Sequence, residues 1–297
     1  MSSAKQRMVV TGREGQVVTS LIERASVAGR FEVIAVGRPE LDLSRPETVA
    51  PALKAARADV IVAAAAYTAV DQAETDEHLA TIVNGVAAGS IASAAHELGV
   101  PMLHISTDYV FDGTKLSAYD ETDPVSPIGA YGRSKLAGER AVSRAHRDHA
   151  ILRTAWVYSP FGKNFLKTML RLAASRDHLD VVADQMGNPT SALDIADAVF
   201  AVAGNLLDSN EAHLRGIFHM TGEGDASWAD FAEQILTCSA ERGGPNASVG
   251  RIPSSAYLTP AKRPANSRLD CSKLFATHGV KLPHWHGSTA LSVARLS

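Results

Sequence analysis

The side chains best suited to chemistry lie in Tyr131-Gly132-Arg133-Ser134-Lys135, read together with Ile105-Ser106-Thr107-Asp108-Tyr109 upstream. In a helix that begins after Pro127, residues four apart share one face, so the Tyr131 phenol falls beside the Lys135 ammonium. A free tyrosine titrates near ~10 and is a sluggish acid or base at neutrality. A neighbouring cation favours the phenolate and draws that value towards the useful range. Thr107, at the end of an apolar run, is placed to hydrogen-bond the same substrate oxygen. The trio suits proton delivery to a carbonyl that is receiving a hydride. The same spacing also occurs on solvated helix faces, so its meaning depends on the elements around it.

The first of those elements is the short β-prone run Met8-Val9-Val10, which leads into Thr11-Gly12-Arg13-Glu14-Gly15-Gln16-Val17-Val18. A helix follows, with Val17, Val18, Leu21, Ile22 and Ala25 on its apolar face and Gly29 at its end. Strand, glycine turn and helix form the layout of a phosphate-binding βα unit, in which Gly12 and Gly15 let backbone approach a pyrophosphate. A plain turn would also use two glycines. Val18 stands where a third glycine usually permits close helix–strand packing, so the helix is expected slightly farther out. The next strand, Phe31–Val36, ends at Gly37-Arg38. An acidic residue here would hold a ribose 2′-hydroxyl; Arg38 instead favours a 2′-phosphate, which points to NADPH with NADH still open.

Ser44-Arg45-Pro46-Glu47 reads as a capping box opening a helix to about Ala58. Asp59–Ala63 is a buried strand that runs into Ala64-Ala65-Ala66-Tyr67-Thr68, small residues that suit either a flat surface beneath a cofactor or simple close packing. A helix is predicted from about Glu74 to Leu98, then a strand from Val100 to Ser106 with Thr107 at its carboxyl edge, where open parallel sheets bind ligands. His104, inside that strand, reads as a core residue. A strand over Ala150–Tyr158 follows the Tyr131–Lys135 helix. This alternation predicts an α/β fold with a doubly wound parallel sheet. Beyond it come a helix at Asn164–Arg176, a strand through Val181-Val182, a helix at Thr190–Leu207 capped by Thr190 or Ser191, a strand at Gly216–Met220 and a helix at Ser227–Ser239. The expected division is 1–157 with 190–221 for the cofactor, and 158–189 with 222–297 as a smaller α/β substrate domain.

The 297 residues supply ample core material, and 45% apolar with 21% charged residues is ordinary for a globular chain. A formal net charge of -3 leaves no basic footprint for nucleic acid. Cys238 and Cys271 stand far apart in no metal-like spacing, which fits a reducing compartment. Val60–Tyr67, the longest apolar run, is too short to span a bilayer, and Met1–Arg7 shows no apolar signal core. A cytoplasmic protein without membrane partners is expected. His284-Trp285-His286 has no carboxylate or cysteine beside it, so no metal is expected there. Asp194 and Asp197 read as a solvated first helical turn.

Taken together, Thr-Gly-x-x-Gly-Gln (11–16), Ala-Ala-Ala-Tyr-Thr-Ala-Val-Asp (64–71), Ser-Thr-Asp-Tyr-Val-Phe-Asp-Gly (106–113) and Tyr-Gly-Arg-Ser-Lys (131–135) resemble the short-chain dehydrogenase/reductase superfamily. Within it they resemble the dTDP-4-dehydrorhamnose reductase family. The likeness continues through Arg-Thr-Ala-Trp-Val-Tyr (153–158), Asp-Gln-x-Gly-Asn-Pro-Thr-Ser (184–191) and Arg-Pro-x-Asn-Ser-Arg-Leu-Asp (263–270), nearly the whole chain. The resemblance implies a Rossmann-type fold and reduction of the 4-keto group of a dTDP-sugar. It implies Tyr131 as proton donor, Lys135 as the group that lowers its pKa and holds the nicotinamide ribose, and Thr107 as the residue that positions the keto oxygen. It matches Gly15, Gln16, Val17, Asp42, Leu43, Ala65, Ala66 and Tyr67 to cofactor contacts. Thr68, Val70, Asp108, Tyr109 and Trp156 match positions around the sugar. Arg263 is a further candidate for the diphosphate, because a guanidinium forks onto phosphate oxygens; a structural ion pair is the alternative. Acidic residues that hold Mg2+ between family members find no clear match, so no metal is expected, and a homodimer stays open. Reduction of another nucleotide-linked keto-sugar and a non-catalytic, reductase-like regulatory subunit are the competing readings.

Overall fold

Alternating short strands and amphipathic helices fold as a layered α/β structure in the computed structural model, which describes residues 5–296. Of the Met1–Arg7 stretch read for a targeting signal, residues 1–4 lie outside the described residues. The chain begins β1 (Gln6–Thr11), α1 (Gln16–Ala28), β2 (Phe31–Val36), α2 (Val49–Ala56) and β3 (Val60–Ala63). Next come α3 (Val70–Ala73), α4 (Glu77–Thr81), a π-helical turn at Ile82–Val86, α5 (Ala87–Leu98) and β4 (Met102–Thr107). Then follow α6 (Ala130–Ala145), β5 (His149–Thr154), β6 (Val157–Tyr158), α7 (Phe165–Ala173), β7 (His178–Val182), β8 (Met186–Gly187) and β9 (Thr190–Ser191). The remainder is α8 (Ala192–Asp208), β10 (Gly216–His219), β11 (Ala226–Ser227), α9 (Trp228–Ala240), β12 (Ser248–Ile252), α10 (Ser272–His278) and α11 (Trp285–Ala294).

Six of the strands form one parallel sheet in the order β2-β1-β3-β4-β5-β10. Helices cover both faces, which is why its strands read as continuous apolar runs rather than alternating ones. Met8, Val10, Val60 and Val62 point into a core shared with α1 and α8. Val9, Ile61, Ala63 and Ile151 point into the opposite core with α2 and α5. The strand order reverses between β1 and β3, and the crevice at such a switch point is where these sheets bind ligands. A second apolar core gathers Leu166, Met169, Leu179, Val181, Phe231, Ile235 and Trp285 from α7, β7, α9 and α11. The helix Glu77–Leu98 has the length and apolar character to cross a membrane, yet half of it is buried against the fold, as in a core helix.

Several local expectations are corrected. The helix predicted from Glu74 to Leu98 starts at Glu77 and carries a π-helical turn around Asn84 and Gly85. The capping box at Ser44–Glu47 does not form: the Ser44 hydroxyl and N–H both bond Asp42, and α2 begins at Val49 without a side-chain cap. The strand predicted over Ala150–Tyr158 is broken, because Trp156 adopts a left-handed backbone, φ 47°, between β5 and β6. Of the two predicted caps for α8, Ser191 serves, accepting from Leu193 N–H. Asp194, in the first turn of α8, is half-buried and bonds Ser288, whereas Asp197, farther along the helix, is exposed and pairs with Arg24.

Beneath the sheet's carboxyl edge lies an ion pair with both side chains 2% exposed. Arg153 of β5 grips Glu139 of α6 with two hydrogen bonds, Nε to Oε1 at 2.9 Å and Nη2 to Oε2 at 2.7 Å. Ser106 of β4 donates to the same carboxylate at 2.6 Å, and the guanidinium lies over the Phe111 ring. Removing one buried partner strands the other charge. Arg153→Met is therefore expected to cost about 3–5 kcal/mol in urea unfolding, and pairing it with Glu139→Leu to recover most of that loss. A single variant as stable as the parent would show that the pair is dispensable.

Candidate active site

At the carboxyl edge of the sheet, β1 ends in the turn Gly12–Gly15, whose glycines hold φ of 102° and 114°. Only glycine adopts such angles without strain. Gly15 caps α1 without a side-chain hydrogen bond, so the first N–H groups of that helix face the cleft with the positive end of its dipole. Val18, the departure from the third glycine, is 3% exposed and fits under the turn, its Cγ2 3.4 Å from where a Gly12 Cβ would lie. Thr11 stitches this turn to the next loop by accepting from Ala64 and Ala65 N–H at 3.1 and 3.2 Å. Those small residues form one side of a cleft of about 610 Å³.

Across it stand Thr107, Tyr131 and Lys135. The Thr107 hydroxyl donates to Asp108 Oδ1 at 2.9 Å and accepts from Tyr109 N–H at 3.2 Å, on the same cleft wall as the Tyr131 phenol. Tyr109 packs edge-on against Tyr131, ring centroids 5.6 Å apart. Lys135, buried, donates from Nζ to the Ile105 carbonyl at 2.6 Å. Burial pushes its ammonium down to about 8, opposed by Glu139 one turn away. The electrostatics differ from the sequence expectation: burial raises the Tyr131 phenol well above its ordinary value, Thr107 opposes, and Asp108 and Tyr109 add to the rise. Burial likewise lifts the Asp108 carboxyl to about 6, against hydrogen bonds from Ser267 and Thr107. Tyr109 is raised to about 12 by burial and Asp108, with Arg263 opposing.

Helix α6, which carries Tyr131 and Lys135, is held by close backbone approach. A Cβ on Gly132 would overlap the Tyr109 carbonyl, and one on Gly138 the Asn84 carbonyl. Asn84, 2% exposed in the π-helical turn, donates to the Tyr67 carbonyl and Ser134 Oγ and accepts from Tyr67 N–H. Ser134 in turn donates to the Tyr131 carbonyl at 2.7 Å. One buried amide thereby joins the loop after β3 to the turn that carries Tyr131.

The family model for the RmlD substrate binding domain matches residues 6–297. A dTDP-4-dehydrorhamnose reductase of Sinorhizobium fredii is 50% identical over 283 residues, 95% of each chain. The chain belongs to the RmlD family of dTDP-4-dehydrorhamnose reductases. A Burkholderia thailandensis member is 46% identical, covering 98% of this chain and 99% of its own. A crystal structure of the Bacillus anthracis dTDP-4-dehydrorhamnose reductase in complex with NADP superposes with a TM-score of 0.90 at 31% identity, covering 98% of this chain and 99% of that one.

Of the residues singled out in this RmlD-family sequence, Gly15, Gln16, Val17, Ala65, Ala66, Thr68, Val70, Thr107, Asp108, Tyr109, Tyr131, Lys135 and Trp156 line the cleft. Gly12, Arg38, Asp42, Leu43, Tyr67 and Arg263 do not. Gly12 shapes the turn, Asp42 and Leu43 lie in the loop after β2, and exposed Arg38 stands at the end of that strand. Tyr67 is turned to Asp76, its hydroxyl 3.2 Å from Oδ2. Arg263 donates to Asp71 Oδ2 at 3.0 Å, the structural ion pair rather than a free diphosphate ligand. The Gln16 side chain is tied to the loop before α7: it accepts from Ser159 Oγ and Asn164 Nδ2 and donates to the Val157 carbonyl. Its N–H is what it can offer a phosphate. Sequence reasoning missed Asn84, Lys163, Asn164 and Trp228; the last three line the cleft from segments distant in the chain. Among the described residues no group of three or more His, Cys, Asp or Glu side chains is arranged to hold a metal.

A raised carboxyl pKa has a defined pH signature. Between pH 3.8 and about 6 the unfolded Asp108 has lost its proton while the folded one keeps it. Stability from this group therefore falls as pH rises through that window and is level above it. Asp108→Asn should remove this fall, read as the difference between the two proteins' melting temperatures across the window. A constant difference would mean that Asp108 titrates normally.

Proposed function

We propose that this chain reduces the 4-keto group of dTDP-4-dehydro-6-deoxy-L-mannose to give dTDP-L-rhamnose, with NADPH as reductant. The observation that carries the reading is the convergence of Thr107, Tyr131 and Lys135 on one wall of a cleft that faces the glycine turn and Ala64–Ala66. The residues present fit the cofactor. Gly12 and Gly15 hold a turn that brings backbone N–H groups to the uncapped start of α1, a ready anion site. Gln16 and Val17 add N–H groups, Ala65 and Ala66 supply a flat surface, and Arg38 is the residue for a 2′-phosphate. Asp42, Leu43 and Tyr67 belong to the same reading as contacts from the surrounding loops. When bound, the dihydronicotinamide supplies the hydride.

The chain's own part is the proton. The Tyr131 phenol carries its proton at neutrality, as the reductive direction needs. Burial raises its pKa and so opposes proton release, which leaves Thr107 and Lys135 to stabilise the phenolate that forms. Thr107 holds the sugar O4 within reach of that phenol. The Lys135 ammonium, anchored on the Ile105 carbonyl, stabilises the phenolate left behind. Thr68, Val70, Asp108, Tyr109 and Trp156 surround the sugar. Arg263 would have to leave Asp71 to reach the diphosphate. The cofactor unit is 1–157 with 190–221, and the substrate unit 158–189 with 222–297. A cytoplasmic location belongs to this reading, and light scattering would distinguish a monomer from the homodimer that the resemblance allows.

The test is loss of reduced-nicotinamide absorbance with the dTDP-keto-sugar, using NADPH and then NADH. Rapid oxidation with NADPH preferred is expected, and Arg38→Ala should erase the preference. Oxidation with other nucleotide-linked keto-sugars alone would replace the substrate, and cofactor binding without any turnover would favour a regulatory role. Tyr131→Phe is expected to lower turnover by ~10²–10⁴ with cofactor binding retained. Unchanged turnover would remove Tyr131 from the chemistry.

A further inference from the structure

Trp156 holds its backbone at φ 47°, a conformation strained for a bulky side chain. Such strain persists where the surroundings over-determine it. Three contacts do so. The Trp156 carbonyl accepts from Thr190 N–H at 3.2 Å, continuing the pairing of β6 with β9. The indole lies flat on that of Trp228, ring centroids 3.6 Å apart and planes 7° from parallel. At Gly187 a Cβ would overlap indole atoms of Trp156. Gly187 has no left-handed φ, so its lack of a side chain serves room rather than backbone freedom.

The local topology explains how these residues meet. β8 pairs antiparallel with β11, setting Gly187 opposite Ala226. Ser227, the next residue of β11, caps α9 through a full capping box, and Trp228 opens that helix. Phe165 of α7 backs the Trp228 ring at 4.7 Å between centroids. Trp156 and Trp228 both line the cleft that holds Thr107 and Tyr131. The segment Asp184–Ser191 thereby supplies the space at Gly187 and the hydrogen bond at Thr190.

We propose that Gly187 and Trp228 are positioning residues that lock Trp156 as the sugar-facing wall of the cleft. The inference deepens the reductase reading and rests on Trp156 lying against the sugar. A stacked aromatic pair fixes both the tilt and the depth of the indole in a way that an aliphatic neighbour does not. Loss of the lock should therefore loosen the sugar nucleotide and leave the nicotinamide side untouched.

Steady-state kinetics with NADPH and the dTDP-keto-sugar, with calorimetric binding of dTDP-L-rhamnose, test it. Trp228→Leu is expected to raise KM for the sugar nucleotide and weaken product binding by roughly five- to tenfold. KM for NADPH and the melting temperature should hold. Trp228→Phe keeps a ring in place and should restore both values to within about threefold of the parent. Gly187→Ala should reproduce the leucine effect with Trp228 intact, and decides the matter if Trp228→Leu fails to fold. Unchanged sugar-nucleotide values in both variants, a parallel rise in KM for NADPH, or a phenylalanine variant as impaired as the leucine one would each overturn the proposal. A parent protein without turnover would count against the reductase reading instead, while the binding comparison still reads the lock.

Discussion

The Arg153–Glu139 pair is the constraint on which the site depends. It is fully buried, bidentate and shared with Ser106, so it ties β5, β4 and α6 at one point beneath the cleft. Glu139 stands one turn after Lys135, and Lys135 one turn after Tyr131, so a shift of α6 against the sheet would move all three. Two charges taken out of water are weak stabilisers in net terms, but they tolerate few geometries. What they contribute here is register: the helix can sit on the sheet in one way, with the phenol beside Thr107.

Glycine fixes the rest of that register by absence. Gly132 lets α6 touch the backbone of Tyr109, and Gly138 lets it touch the π-helical turn at Asn84. Asn84 then spends its side chain on the Tyr67 loop and on Ser134. The wall that carries Tyr131 and the small-residue wall are therefore joined through buried polar bonds rather than through apolar packing alone. Satisfied networks of this kind specify a unique arrangement, because each broken bond leaves a buried polar group unpaired.

The sheet, its glycine turn and the Tyr131–Lys135 pair are legible because each is carried by residues close in sequence, and Thr107 because it ends a strand that the apolar pattern marks. Apolar runs, φ-demanding glycines and an i, i+4 pair need no knowledge of the fold. The π-helical turn was not legible: Ile82–Val86 has ordinary helical composition, and its bulge answers to Gly138 on another helix. Nor was the break at Trp156, since Ala150–Tyr158 reads as a single strand until Gly187 and Trp228 are brought beside it by β8 and β11. The capping pattern at Ser44 misled because Asp42, two residues earlier, competes for the same hydroxyl. Arg263 reads from sequence as either a diphosphate ligand or a structural ion pair, and the ion pair forms, with Asp71 as the partner that sequence does not name. The i, i+4 spacing implies a Tyr131 pKa drawn down by Lys135, but the Lys135 ammonium donates to the Ile105 carbonyl and burial raises the phenol instead.

The two ends of the cleft are tied by different physics. At one end, Gln16 makes neutral, partly buried hydrogen bonds to the loop that precedes α7. At the other, Asp71 receives Arg263 and the Ala261 N–H, in an ion pair whose side chains are 25% and 42% exposed. At ~0.1 M salt the screening length is about 10 Å, so an exposed ion pair in direct contact is weakened in part, and neutral amide bonds are nearly untouched. Ionic strength therefore weakens the Asp71–Arg263 seam and leaves the Gln16 seam nearly unchanged.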